Sequence, residues 1–135
     1  MCYTVSAQLD ELTSTLIGDA LDLLADRGSL NVLLVLQTAN DDVVSLEFAD
    51  DDAERLLQEA RQRVRSTKNA DRFAIAYEGA VENEDGVFAD ALIVEFGERG
   101  CPCFSAYCLF EGRGAGDSFR WTDPAPAGEV EALLA

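Results

Sequence analysis

Residues 73–96 read Phe73-Ala74-Ile75-Ala76-Tyr77-Glu78-Gly79-Ala80-Val81-Glu82-Asn83-Glu84-Asp85-Gly86-Val87-Phe88-Ala89-Asp90-Ala91-Leu92-Ile93-Val94-Glu95-Phe96, two apolar alternating stretches around Asp85-Gly86. Asp-Gly between alternating stretches signals a two-residue hairpin turn. With Asp85 and Gly86 as the loop, the numbers of opposed residues sum to 171. Val81 then faces Asp90, Gly79 faces Leu92, Tyr77 faces Val94 and Ile75 faces Phe96. The reverse side carries Ala74, Ala76, Glu78 and Ala80 against Glu95, Ile93, Ala91 and Ala89. One face is bulky and apolar; the other is small and holds both glutamates. A one-residue slip would mix the two sets, so the alternation supports this register.

Working outward, residues 7–27 carry a wide helical stripe of Leu9, Leu12, Leu16, Ile17, Ala20, Leu23 and Leu24. Ser6 is placed to cap its start and Gly28 to end it. Val32 to Leu36 form a continuous apolar run, Asn40-Asp41-Asp42 a turn, and Val44, Leu46 and Phe48 an alternating strand wet on one side. Asp51 as N-cap with Glu54 starts a second helix bearing Ala53, Leu56, Leu57, Ala60 and Val64 on one face. Arg61, Arg63, Arg65, Lys68 and Arg72 make a basic island at its end, where cations offset the helix dipole. After the hairpin, Gly97-Glu98-Arg99-Gly100 turns into a strand over 101–110, with Pro102 at its beginning. A flexible glycine-rich loop over 111–118, a short strand at 119–122 and a loosely ordered tail with a helical turn over 129–134 complete the expectation.

The fold class is α+β: a single layer-packed domain over 1–135, two main helices on a mainly antiparallel five-stranded sheet, in the order α-β-β-α-β-β-β with a short C-terminal strand or helix. This order resembles that of the roadblock family of small dimeric scaffold proteins, which regulate GTPases and motors. The resemblance lies in the order of elements over most of the chain, and no motif carries it. Type III secretion chaperones are also small, acidic and dimeric, but they place three strands before the second helix where this chain offers two.

Composition narrows the chemistry. The 135 residues include 26 Asp and Glu against 10 Lys and Arg, and no histidine. Without imidazole there is no Ser-His-Asp or Cys-His pair and no His-ligated zinc. Acids outnumber bases 9 to 1 over residues 1–50, 12 to 7 over 51–100 and 5 to 2 over 101–135. Such a surface repels phosphate backbones and anionic headgroups, so neither nucleic acid nor membrane is expected as a partner. No apolar run reaches transmembrane length, and Met1-Cys2-Tyr3-Thr4-Val5-Ser6 has no signal-peptide pattern. A cytoplasmic protein with four reduced thiols is the expectation.

Four motifs could carry chemistry. Cys101, Cys103 and Cys108 with Cys2 invite a metal or redox reading. On a strand, however, Cys108 falls on the face opposite Cys101 and Cys103, and a zinc tetrahedron lacks ligands; neither metal nor cofactor is expected. The sequence from Glu82 to Gly86 mimics a calcium loop but puts Val81 and Leu92 where acids are needed. The Gly112–Gly116 loop lacks the Lys-Ser/Thr and helix of a phosphate cradle. Glu78 and Glu95 remain, with Tyr77 and Arg99 beside them, as a candidate ligand-binding set: two carboxylates held on one face can act as acid and base.

Three functions follow. The first is a non-enzymatic interaction or scaffold module, a homodimer or a binder of another protein, built through the amphipathic helix or a sheet edge. The second is a small ligand-binding protein or enzyme using the carboxylate pair. The third is an acidic chaperone or inhibitor occupying a basic surface. The first accounts best for a core-sized chain with little catalytic equipment.

Overall fold

A computed structural model describes residues 5–49, 52–82 and 84–134. The chain runs α1 (Ala7–Arg27), β1 (Val32–Thr38), β2 (Val43–Phe48), α2 (Ala53–Ser66), β3 (Ala70–Glu82), β4 (Phe88–Glu98) and β5 (Cys103–Glu111). A 3-10 turn at Gly116–Ser118 and two short strands, β6 (Arg120–Trp121) and β7 (Ala125–Val130), follow. All pairings are antiparallel, in the order β2-β1-β3-β4-β5-β6, and β7 also pairs with β5. The fold is α+β: two helices and a curled antiparallel sheet.

The β3–β4 hairpin corrects the register. Arg72 opposes Glu98, Tyr77 opposes Ile93 and Glu82 opposes Phe88, so the numbers sum to 170 and not 171. Strand β3 ends at Glu82 and β4 begins at Phe88, with Asp85-Gly86 between them. A two-residue type I′ turn needs positive φ at both residues. Here Gly86 has φ 77, whereas Asp41 is the only non-glycine with positive φ among the described residues. Directly opposed residues share a face, so the one-residue difference sends Tyr77 and Val94 to opposite sides. Glu78 and Glu95 are separated in the same way.

The reason is that the sheet is covered on both faces. Under α2 lie Val32, Leu34, Leu36, Phe73 and Ile75 with Leu56, Ala60 and Val64 of the helix. Under α1 lie Ala74, Ala76, Leu92 and Val94 with Leu16, Ala20 and Leu24. Strand β3 thus gives large side chains to one helix and alanines to the other, and β4 does the reverse on the α1 side. Each face is a mixture of large and small that fills its own layer. At Gly97, under α2, an added Cβ would sit 2.3 Å from Cys103 Sγ and 2.9 Å from Phe73 Cε1, so only glycine fits.

Local signals explain the ends. Ser6 Oγ accepts from the Leu9 amide, and Gly28 closes α1 at φ 77 with its N–H on the Leu24 carbonyl. Asp52, not Asp51, caps α2, accepting from the amides of Glu54 and Arg55; Asp51 lies outside the described residues. In a run of three aspartates, the cap is whichever one directly precedes the first helical residue.

The glycine-rich loop packs closely: the Gly114 amide donates to Leu24 O at 2.9 Å, and Arg113 reaches Gly28 O at 2.8 Å. The expected tail is also different. Residues 125–130 pair with Cys103–Tyr107 of β5 as β7, and Leu133 and Leu134 plug the core under α2. Gly100 N–H holds the Leu134 carbonyl at 3.0 Å. A helical turn over 129–134 would have withdrawn both leucines from that plug.

Candidate functional site

Glu95 is the most deeply placed carboxylate described, 3% exposed. Arg61, from the middle of α2, donates through Nε to Oε1 at 3.0 Å and through Nη2 to Oε2 at 2.5 Å. The Tyr77 hydroxyl donates to Oε2 at 2.7 Å. Such a fork matches the planar guanidinium to the carboxylate and fixes both. Burial first, and then the bond to Glu95, push the Tyr77 phenol well above its ordinary 10.0. The hydrogen bonds that Arg61 donates to Glu95 keep it more firmly protonated than a free guanidinium. Two of the four sequence-predicted residues, Tyr77 and Glu95, therefore meet, but as a sealed triad whose acceptors are occupied.

The other two stand elsewhere. Glu78, on the α1 side, accepts the Leu30 amide at 2.9 Å and pairs with Arg113 at 2.7 Å, which also holds Asp90 at 3.1 Å. Arg99 donates to the Ala70 carbonyl at 2.9 and 2.7 Å and to Lys68 O at 3.3 Å, tying down the connection from α2 into β3. The geometry thus separates the proposed acid pair and distributes the four candidate residues among three structural clamps. The basic island proves largely internal. Arg61 holds Glu95, Arg65 holds Glu131 at 2.9 Å, and Arg72 holds Glu98, which also accepts from Ser6 Oγ at 2.9 Å. Sequence reasoning missed these partners because each lies 26 or more residues away along the chain.

The cysteines divide as the alternation requires. Cys103 packs under α2 and Cys108 under α1, both free, and burial raises both thiols above the ordinary range. Cys101 lies before β5 and is disulfide-bonded, which corrects the expectation that all four thiols are reduced. Among the described residues no three His, Cys, Asp or Glu side chains converge as metal ligands. No described helix is long and apolar enough to cross a membrane.

The β1–β2 corner is one of several open regions: Phe88 and Trp121 are also well exposed, and a larger cavity of about 610 Å³ lies beside Phe96, Phe104 and Pro126. The two edges of the sheet are finished differently. Beyond β5 run β6 and β7, and β7 carries Pro126 and Gly128 with a register shift between Ser105 and Ala106. Proline and an irregular ladder are standard ways of blunting an edge. Strand β2 has none of these devices: it is VVSLEF, regularly paired with β1 from Val43 to Phe48. Val43 is 54% and Val44 42% exposed.

On the α1 side the corner is also uncovered from above. Helix α1 lies chiefly over β3 and β4. Between its flank and the first two strands runs a groove of about 280 Å³, lined by Leu12, Thr15, Asp19, Val35, Val43 and Ser45 among others. Its polar residues come from α1 and from the strands, with no base among them. The signal for this corner was present in the sequence as the unusually wide stripe on α1 and the alternation of 43–48.

No family model matches the chain, and neither a curated protein nor a solved structure matches it significantly.

Proposed function

We propose that the protein is a non-enzymatic interaction module that self-associates through β2. The observation that carries this reading is the contrast between its edges: an apolar, regular, unprotected β2 against an edge interrupted by proline and glycine. An exposed strand presents a row of backbone donors and acceptors that a second strand satisfies. A second copy is the simplest occupant, because a twofold axis makes one edge complementary to itself.

The side chains restrict the register. With the axis perpendicular to the sheet every residue keeps its face, so odd positions oppose odd ones and even oppose even. Centring on Val44 would set Glu47 against Asp41 of the other copy, a like-charge pair. Centring on Leu46 sets Val44 against Phe48 and Glu47 against Ser45, and moves the nearest like-charge pair one step further from the axis, to Asp42 against Asp50. The sealing of Glu95 supports the non-enzymatic half of the reading.

Light scattering tests it. The expected mass is twice 14.6 kDa for the parent chain. V44E, which sets a carboxylate against Phe48 of the other copy, is expected at 14.6 kDa with an unchanged circular-dichroism spectrum. A parent that stays monomeric up to about 100 μM, or a V44E chain that dimerises equally well, would overturn the proposal.

A further inference from the structure

We infer that the groove between α1 and the β1–β2 strands receives a cationic amphipathic helix from a partner protein. The inference rests on the interaction-module reading but not on the β2 dimer. Its first support is the chemistry of the walls. Leu12, Val35 and Val43 supply an apolar floor and flank, and Glu11 and Asp19 stand at the rim. All of them belong to residues 1–50, where nine acids face one base, Arg27, in the last turn of α1. Apolar anchors ringed by lysine or arginine are the complement of that surface.

The second support is hydrogen bonding. Strand β1 is paired on both sides, by β2 and β3, and the backbone of α1 is satisfied within the helix. The groove lies on a face of the sheet, and ladder groups, those of the unpaired β2 edge included, point within the sheet plane, so an occupant of the groove must satisfy its own backbone, which a helix does. From Gln8 to Asp19 the α1 wall is about 16 Å long, the length of roughly eleven helical residues. At about 280 Å³ the groove has room for the side chains of one face of such a helix.

A synthetic twelve-residue Leu/Lys amphipathic peptide, titrated calorimetrically into the full chain, probes the groove directly. Binding is expected to weaken as salt is raised, and a Leu/Glu peptide of the same pattern is not expected to bind. T15R, on the exposed flank of α1, fills the groove and is expected to weaken binding at least tenfold. D26N makes the same charge change outside the groove and is expected to stay within twofold of the parent. V43S, which removes an apolar contact and leaves charge alone, gives a second reading and should cost about threefold. Equal weakening by T15R and D26N, undiminished binding by V43S, or no binding of the cationic peptide at low salt each overturns the inference. The titration is repeated on V44E: failure of the dimer shows in scattering, failure of the groove in calorimetry, and neither masks the other.

Discussion

On the α2 side, a carboxylate 3% exposed is gripped by an arginine and a tyrosine, and two C-terminal leucines close the layer. At the β1–β2 corner, two valines stand 54% and 42% exposed on an unpaired edge, with a groove beside them. Both regions belong to one continuous sheet. Polar groups in the closed region are satisfied within the chain, so substitutions there act on stability. In the open region the uncovered surface is backbone edge and apolar side chain, so substitutions there are expected to act on the proposed association and little on stability.

The sharpest way to break this contrast is R61A, which leaves Glu95 buried with only Tyr77 as donor. The expected loss is about 3 kcal/mol, read as a lower urea midpoint at unchanged slope. The double variant R61M/E95L removes both charges and is expected to lose less than R61A. If R61A unfolds at the parent's midpoint, the triad does not hold the closed face.

G97A comes next. Its Cβ would meet Cys103 Sγ at 2.3 Å and the Phe73 ring at 2.9 Å, an overpacking expected to cost about 1–3 kcal/mol. G79A, whose Cβ meets only Ile93, with the terminal Cδ1 at 2.3 Å, is expected to cost less because that methyl can rotate away. Equal midpoints for the two would mean the layer under α2 is looser than its contacts show.

A third test uses pH. The folded Tyr77 hydroxyl titrates well above the ordinary 10.0, so the folded state holds its proton where the unfolded chain releases it. Its contribution is fully present below about pH 10 and is lost as pH rises through the folded value. Thermal scans across this range should show stability falling, and Y77F should fall less steeply. Identical slopes would place the titration elsewhere.

The smallest effect belongs to the open corner: V43S should change stability by no more than about 0.5 kcal/mol. A larger loss would show Val43 to be part of the core.

These two regions were unequally legible. Helix positions, the Ser6 and Gly28 caps and the strand order along the chain followed from periodicity and capping chemistry, which are local. The hairpin failed by one residue because Asp85-Gly86 fits both a two-residue turn and the interior of a longer loop, and φ at Asp85 separates them. That single residue moved Glu78 away from Glu95. Tyr77 and Glu95 were both singled out, but the register read from the sequence put them on opposite faces, and Arg61 was missed altogether, since it comes from α2, 34 residues earlier.

By itself, then, the sequence determined the secondary elements as far as β5, the absence of imidazole chemistry and the acidity of residues 1–50, all properties of neighbours in the chain or of composition. Tertiary structure alone decided which carboxylate is sealed, that the C-terminal residues cover the α2 face, and which edge stays open. Those depend on what approaches from far along the chain, and burial is a property of the whole packed layer.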